Sequence, residues 1–208
     1  MQYDVIIIGG GQAGAMSAIT LRQKKFSGRI LLISNEGYLP YQRPPLSKAF
    51  LTDLLLTESL YIKSGAYYKR NKIDILMNDT VELIDRNKKN IILEDGRKYS
   101  YQKLVLATGS ELNILDITCD KKNIYYLRTI DDSIKIRSLL EQQQKIVIVG
   151  AGYIGLEMGS VWSRLGSEVH VVEFLNHITP GMDKEISKEF MKILQKQGIN
   201  FHLQKKLN

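Results

Sequence analysis

The chain has 208 residues, of which 44% are hydrophobic and 25% charged, and 29 basic against 22 acidic side chains give a net charge of +7. This composition is typical of a folded globular protein with enough apolar material for a core, and it excludes a disordered, collagen-like or fibrous chain. No apolar run exceeds four residues, whereas a bilayer span needs ~20. The N-terminus also has no basic segment before its first apolar run, so we expect neither a signal peptide nor a membrane contact.

The charged and metal-binding side chains exclude further classes. The single cysteine, Cys119, cannot form an intramolecular disulfide, a CxxC zinc site or a redox-active dithiol. We interpret it as an inert thiol in a reducing, cytoplasmic setting. The three histidines share no ligand spacing, and no metal site is predicted. The basic doublets lie far apart, which predicts a solvated surface or, alternatively, a docking face for an acidic protein, with nucleic acid not expected.

One pattern occurs twice along the chain. DVIIIGGGQAGAMSAITL begins at Asp4, and KIVIVGAGYIGLEMGSVW begins at Lys145. Each is a short β-branched run, then G-x-G-x-x-G, then a stretch of helix-compatible small residues. A second apolar strand follows each, within residues 29–36 and 168–173. This order predicts a βαβ unit at both places.

Between the two copies the periodicity changes. Residues 80–100 alternate apolar and polar side chains around two turns, which predicts a small antiparallel β-meander. LVLATGS then predicts a buried strand with a glycine exit, which returns the chain to a sheet. A boundary is expected near 112–122. The second copy predicts the following elements: strand 145–149, helix about 153–165, strand 168–173, helix about 183–197 and strand 199–203.

These elements predict an α/β fold with two Rossmann-like dinucleotide-binding units and a small meander. We expect one domain over residues 1–118 and a second over 119–208. A full doubly wound domain has more strands than the second unit provides, so the sequence is expected to be the front portion of a larger two-nucleotide architecture.

Each glycine motif is suited to a pyrophosphate. A strand-to-helix turn without side chains lets the phosphates approach the backbone, where the helix N-terminus offers free N–H groups and partial positive charge. The three glycines serve, in order, for the tight turn, the approach to the pyrophosphate and close helix–strand packing. They are Gly9, Gly11 and Gly14 in the first motif and Gly150, Gly152 and Gly155 in the second.

An acidic residue ends the second strand of each unit: Glu36 and Glu173. Such a carboxylate accepts hydrogen bonds from a ribose diol and repels a 2′-phosphate. Phe174, Leu175 and Asn176 follow Glu173, with no arginine to hold that phosphate. The second site is therefore predicted to prefer NADH over NADPH, the alternative being that Glu173 is only a solvated strand end.

Several segments together resemble the FAD-dependent NADH:ferredoxin reductases, the family of putidaredoxin and rhodocoxin reductases. The most specific is PYQRPPLSK, and the others are GGGQAG, LVLATGS, YLRT (126–129) and GAGYIGLE. The resemblance covers the whole chain but about half of a typical member. The second half also resembles the NAD segment of lipoamide dehydrogenases, whose CxxxxC disulfide is missing here, so lipoamide chemistry is excluded.

The resemblance implies that the first unit holds FAD. Asn35 and Glu36 would face the adenosine ribose, although family members usually carry an acid where Asn35 stands. The second unit would bind NADH through its glycine turn and Glu173. The remaining cofactor contacts implied are Gln12, Ala13, Arg43, Val81, Thr108, Gly109 and Arg128 for FAD, and Tyr153 and Ile154 for NADH.

The resemblance also implies two catalytic side chains. Lys48 would lie at the reactive edge of the flavin and pair with Glu157. An ammonium there stabilises the negative charge of a reduced flavin ring. The alternative interpretation makes Lys48 an ordinary surface lysine after a stiff Pro-Pro turn.

The function predicted first is an electron-transfer flavoprotein. Hydride from NADH would reduce FAD, and electrons would pass singly to a small acidic ferredoxin-like iron–sulfur protein. Two alternatives stay open at this point. One is a truncated nucleotide-binding fragment without turnover, and the other is a different flavin-dependent reductase with the same loops.

Overall fold

The computed structural model describes residues 1–116, 121–140 and 144–206. The chain forms two compact units: residues 1–42 with 57–111, and residues 43–56 with 112–208. The segment 43–56, which contains the PPLSK motif, therefore packs with the second unit. The domain boundary expected between residues 118 and 119, and the Cys119 thiol, lie outside the described residues.

The first unit is a six-stranded sheet with helices. Its strand order is β3-β2-β1-β6-β5-β4, in which β3, β2, β1 and β6 are parallel and β5 and β4 are antiparallel additions. The fold class predicted from the sequence is confirmed. The elements are β1 (Gln2–Ile8), α1 (Gln12–Gln23), β2 (Ile30–Ile33), α2 (Thr57–Leu60), α3 (Gly65–Arg70), β3 (Ile73–Leu76), β4 (Val81–Asp85), β5 (Asn90–Leu93) and β6 (Lys98–Leu106).

Burial explains the unbroken apolar runs of β1 and β2. Side chains from both faces of these strands are buried, and Ile6, Ile7, Ile30 and Leu32 are fully so. Parallel strands covered on both faces have apolar residues at consecutive positions instead of alternating ones. Both strands are internal to the sheet, and the first glycine motif follows the carboxyl end of β1.

Two features of the first unit differ from the sequence prediction. LVLATGS was expected to form a buried strand after the meander; its first residues do return to the sheet, but as the end of the long strand β6, and Leu106 is 63% exposed. The strand β6 belongs to both the meander and the parallel sheet, because it pairs antiparallel with β5 near Ser100 and parallel with β1 up to Leu106. The elements α2, α3 and β3 were not predicted; β3 extends the parallel sheet beside β2.

The second unit has a three-stranded parallel sheet in the order β7-β8-β9. Its helices α5 and α6 pack on one sheet face around Trp162, Val171 and Leu194. The predicted strands and helices between 145 and 203 are confirmed within a residue or two. The elements are a 3-10 helix (Pro44–Ser47), a second 3-10 helix (Lys121–Asn123), α4 (Ile130–Arg137), β7 (Lys145–Val149), α5 (Tyr153–Arg164), β8 (Glu168–Glu173), α6 (Lys184–Lys196) and β9 (Ile199–Leu203).

In the part of the chain that the structure describes, no helix combines the length and apolar character needed to cross a membrane.

Candidate functional site

The first glycine motif forms the turn between β1 and α1. Gly9 has a φ of +119°, and a Cβ there would lie 2.1 Å from the Ala107 carbonyl oxygen. A Cβ on Gly14 would lie 1.9 Å from the Gly9 carbonyl oxygen. At Gly11, in contrast, a Cβ would meet no atom within 4 Å. Packing therefore requires glycine at Gly9 and Gly14, whereas at Gly11 the missing side chain leaves open space beside the helix N-terminus.

The second motif forms the turn between β7 and α5, and again its first and third glycines are required by the fold whereas its middle glycine is not. Gly150 has a φ of +97°, and a Cβ on Gly155 would lie 2.3 Å from the Gly150 carbonyl oxygen. A Cβ on Gly152 would meet nothing within 4 Å. Open space at the middle glycine of both turns fits a pyrophosphate that approaches the backbone there.

The helices after the two turns begin without a side-chain cap. Gly11 and Gly152 are the N-cap residues of α1 and α5, and neither helix has an acid in its first turn. The helices α3, α4 and α6 instead have side-chain caps. Their N-cap residues are Ser64, Thr129 and Asp183, whose side chains accept hydrogen bonds from backbone N–H groups. Uncapped N–H groups together with the positive end of the helix dipole are suited to a phosphate anion.

Glu36 follows β2 and is half-buried. Its Oε2 accepts a hydrogen bond from the Tyr41 hydroxyl at 2.5 Å, and its backbone N–H donates to Ser34 Oγ at 3.2 Å. Asn35 beside it is exposed. The carboxylate predicted to face a ribose is thus fixed in direction by a tyrosine that the sequence analysis did not single out.

Glu173, at the end of β8, is 8% exposed. Its Oε2 accepts the backbone N–H of Ala151 and its Oε1 that of Leu175, both at 2.8 Å. The alternative that Glu173 is a solvated strand end is therefore wrong. The carboxylate connects the strand end to the second glycine turn because Ala151 lies inside that turn.

Lys48 and Glu157 form an ion pair within the second unit. Lys48 follows the 3-10 helix Pro44–Ser47, and its Nζ donates to Glu157 Oε2 at 2.7 Å. About half of the Lys48 side chain is exposed. The Ser47 hydroxyl donates to the same Glu157 oxygen at 2.5 Å. The two residues that the resemblance pairs are thus brought together, while the part they play in a reaction stays a prediction.

Further contacts attach the segment 43–56 to the second unit. An Nη1–H of Arg43 donates to the Arg128 carbonyl oxygen at 2.6 Å, so these two arginines meet through the backbone. The Arg137 guanidinium forms an ion pair with Asp53 and lies 4.7 Å from the Phe50 ring centroid. Sequence reasoning missed Arg137, because no local motif marks a helix residue that reaches a distant loop.

The predicted site residues divide between the two units. Among those of the first unit, Thr108 and Gly109 follow β6 and are exposed, while Val81 is half-buried at the start of β4. In the second unit Tyr153 and Ile154 are each more than half exposed in the first turn of α5. The first unit carries Gly9, Gly11, Gln12, Ala13, Gly14, Asn35, Glu36, Val81, Thr108 and Gly109, and the second carries Arg43, Lys48, Arg128, Gly150, Gly152, Tyr153, Ile154, Gly155, Glu157 and Glu173.

Two histidines on neighbouring strands also meet. His170 Nδ1 lies 2.9 Å from His202 Nε2, and His170 Nε2 lies 2.9 Å from Glu168 Oε1. The hydrogen bond from His170, together with Lys145, holds the pKa of the Glu168 carboxyl below its usual value. Spacing along the sequence could not show this pair, because the register of β8 and β9 brings its members together.

Comparison with known proteins identifies the family. A family model described as pyridine nucleotide-disulphide oxidoreductase matches residues 3–208. The chain belongs to this family. It is 35% identical over 207 residues to a rubredoxin-NAD(+) reductase of Pseudomonas putida, covering 98% of this chain and 53% of the relative. A ferredoxin--NAD(P)(+) reductase of a Sphingomonas species is also 35% identical, with 99% of this chain and 50% of the relative covered.

A solved structure agrees with these relatives. The reductase in a covalent putidaredoxin reductase–putidaredoxin complex superposes with a TM-score of 0.93 at 30% identity, covering 98% of this chain and 50% of that one. The predicted resemblance to the ferredoxin reductases is confirmed. The family binds FAD and NAD(P)H and consists of oxidoreductases. The chain spans about half the length of the curated relatives it matches.

Proposed function

We propose that this protein is an FAD-dependent reductase that takes hydride from NADH and passes electrons to a small acidic ferredoxin-like iron–sulfur protein. The first unit binds FAD at the turn around Gly11, and the second binds NADH at the turn around Gly152. Bound FAD supplies the redox chemistry, since it takes up two electrons as hydride and releases them one at a time. The protein supplies binding, orientation and charge.

The observation that carries this proposal is the open space at Gly11 and Gly152. In each motif the fold requires the outer glycines, by a positive φ at Gly9 and Gly150 and by close contacts at Gly14 and Gly155, whereas it does not require the middle glycine. A glycine that no protein contact demands, beside an uncapped helix N-terminus, is accounted for by a ligand that needs the space. Two such turns, one in each unit, support the binding of two dinucleotides.

Lys48 supplies a positive charge beside the Glu157 carboxylate. A reduced flavin ring carries negative charge, and a nearby ammonium stabilises it without proton transfer. The ion pair brings the ammonium of the long, flexible Lys48 side chain to the Glu157 carboxylate. The proposed role of Lys48 and Glu157 in the reaction therefore needs neither a protein nucleophile nor a general base.

The choice of NADH over NADPH rests on Glu173 and its neighbours. A buried carboxylate at the strand end repels a 2′-phosphate and still has lone pairs for a ribose hydroxyl. Phe174, which follows it, is 69% exposed and offers no charge to a phosphate. The name of the Pseudomonas relative, a rubredoxin-NAD(+) reductase, points the same way.

The choice of an acidic electron carrier rests on charge and on the relatives. The chain carries a net charge of +7, which favours association with a negatively charged partner. The names of the similar proteins contain rubredoxin, ferredoxin and putidaredoxin. All three are electron carriers, so we assign the same partner class to this protein.

An anaerobic NADH titration tests the proposal. The purified protein, supplied with FAD and freed of excess, is expected to show a flavin spectrum that NADH bleaches at near-stoichiometric amounts and NADPH bleaches far more weakly. The Gly11→Ala variant serves as a control that should retain less flavin than the wild type. Retained flavin that NADH leaves oxidised would overturn the reductase function. A protein that takes up no flavin would instead favour the alternative of a nucleotide-binding fragment without turnover.

A further inference from the structure

Ser47 contacts the Lys48–Glu157 ion pair. Its hydroxyl donates to Glu157 Oε2 at 2.5 Å, the same oxygen that receives the Lys48 ammonium at 2.7 Å. The Pro44 carbonyl oxygen, at 3.3 Å, is the more distant acceptor available to this hydroxyl. Glu157 Oε2 therefore accepts hydrogen bonds from both the short Ser47 side chain and the long, flexible Lys48 side chain.

The ion pair alone would not hold the ammonium in one place. Half of the Lys48 side chain and about a third of that of Glu157 are exposed. Exposed lysine–carboxylate pairs contribute little, because water competes for both charges and a long side chain loses entropy when it is held. The Pro44 carbonyl oxygen, at 3.4 Å from Nζ, adds only a weak contact. Something else must fix the carboxylate if the ammonium is to have a defined position.

Ser47 has the rigidity that Lys48 lacks. It is 5% exposed and lies at the end of the 3-10 helix, where the Lys48 backbone N–H bonds to the Pro45 carbonyl oxygen at 3.0 Å. The carbonyl oxygen of the preceding Leu46 accepts the fully buried Ser133 hydroxyl of α4 at 2.8 Å. Buried backbone held on both sides gives the Ser47 hydroxyl a fixed position and direction.

We propose that Ser47 is a positioning residue, which fixes the Glu157 carboxylate so that the Lys48 ammonium is held at one point. The inference rests on the proposed function for its catalytic consequence, because a fixed cation matters where negative charge develops. Its structural part, the ordering of Lys48 by Ser47, concerns the protein without any bound nucleotide. The two parts can therefore be tested separately.

The variants needed are Ser47→Ala, which removes the hydroxyl, and Ser47→Thr, which restores a hydroxyl donor. Ser160→Ala is the matched control, since Ser160 lies one turn further along α5 and its hydroxyl contacts Gln197 at 3.4 Å instead of Glu157. Ser47→Cys keeps the side-chain volume with a weak donor and replaces Ser47→Ala if that variant does not fold. Urea unfolding checks that all variants are folded before they are compared.

The first measurement is the ¹⁵N–¹H spectrum of the lysine ammonium groups in the flavin-free protein. Its signals are visible only where Nζ–H exchange with water is slow, and Lys48→Arg identifies the signal of Lys48. We expect this signal in the wild type, Ser47→Thr and Ser160→Ala, and its loss in Ser47→Ala or Ser47→Cys. An unchanged Lys48 signal in Ser47→Ala and Ser47→Cys overturns the proposal.

The second measurement is the limiting rate of flavin reduction by NADH in the FAD-loaded protein. Ser47→Ala is expected to lower this rate about tenfold while the Kd for NADH changes less than about twofold, and Ser47→Thr to recover most of it. Normal rates with a lost ammonium signal overturn the catalytic consequence of Ser47. If NADH does not reduce the wild-type flavin but the Lys48 ammonium signal is lost in Ser47→Ala, the proposed function fails and the positioning of Lys48 stands.

Discussion

The Glu173 carboxylate accepts the backbone N–H of Ala151 at 2.8 Å and thereby joins the end of β8 to the second glycine turn. A carboxylate has about four lone-pair sites, so its two backbone bonds leave capacity for a ribose hydroxyl. One side chain can therefore shape the turn in the free protein and contact the nucleotide in the complex. This double role gives substitutions at Glu173 two effects that can be measured apart.

We expect Glu173→Ala to lower both stability and NADH affinity. Removal of the buried acceptor leaves the N–H groups of Ala151 and Leu175 without it, at a cost of about 2 kcal/mol in the free energy of unfolding. NADH should bind at least about tenfold more weakly. Glu173→Gln keeps one acceptor oxygen and should lose about half as much stability. Urea unfolding and fluorescence titration with NADH measure the two effects.

Glu168→Gln is the control for the two Glu173 variants, because Glu168 lies on the same strand and its carboxylate is exposed. It should leave the unfolding free energy close to that of the wild type, because exposed ion pairs contribute little, and leave NADH affinity unchanged. If Glu173→Ala bound NADH as well as the wild type did, Glu173 would belong to the turn alone and not to the nucleotide site.

Phe174→Arg is expected to shift the nucleotide preference towards NADPH. Phe174 follows Glu173 and is 69% exposed, so an arginine there adds a cation without disturbing the Glu173 hydrogen bonds. A guanidinium forms bidentate bonds with phosphate, which should improve the NADPH-to-NADH affinity ratio about tenfold. Phe174→Gln controls for loss of the ring. Equal ratios in the arginine and glutamine variants would place the 2′-phosphate away from Phe174.

The glycine motifs and their neighbouring strands could be predicted from the sequence for a physical reason. A β-branched run, a glycine turn and a small-residue helix are local signals, each set by the residues within one βαβ unit. The limits of β7, α5 and β8 were accordingly predicted within a residue of the observed ones. Lys48 and Glu157, in contrast, lie far apart along the chain, and only the family resemblance paired them.

The features missed depend on contacts between distant residues. The strand β6 has the expected apolar run at its end, but its continuity with the meander depends on simultaneous pairing with β1 and β5. Ser47 and Glu157, and likewise Ala151 and Glu173, lie far apart along the chain and meet only after folding. Composition and periodicity describe the residues near each position along the chain. They do not show which distant donor will form a hydrogen bond with a given carboxylate.

Tyr68→Phe tests a buried hydroxyl in the first unit. Tyr68 is 2% exposed, and its hydroxyl has no hydrogen-bond partner among the described residues. Burial raises the pKa of Tyr68 to about 12 from an ordinary 10. The folded state therefore retains the proton at a pH where the unfolded chain has lost it. The stability that this difference contributes is complete below about pH 10 and is lost as the pH rises through about 12.

At pH 7 the phenylalanine variant should be as stable as the wild type or more stable by about 1 kcal/mol, because an unpaired polar group leaves the core. Between pH 10 and 12 the wild type should lose up to about 3 kcal/mol more than the variant does. Tyr67→Phe, at the half-buried neighbouring ring, is the control. Parallel stability curves for the wild type and Tyr68→Phe over this range would contradict the assigned pKa.

Gly14 and Gly11 of the first motif allow effects on folding and on binding to be separated. A Cβ on Gly14 would lie 1.9 Å from the Gly9 carbonyl oxygen, so Gly14→Ala must push α1 away from β1. We expect a loss of about 3 kcal/mol or more in the unfolding free energy. Gly11 has a φ of −80° and a ψ of −169°, which alanine adopts easily, and its Cβ would meet nothing within 4 Å.

Gly11→Ala should therefore leave stability within about 0.5 kcal/mol of the wild type and weaken FAD binding at least about tenfold, because its methyl group occupies the space left for the pyrophosphate. Gly152→Ala should do the same for NADH, and each variant is the control for the other nucleotide. Urea unfolding and titration with FAD or NADH provide the measurements. Normal FAD binding by a stable Gly11→Ala protein would mean that the open space at this turn does not receive the phosphates, and the first unit would lose its assignment as the FAD site.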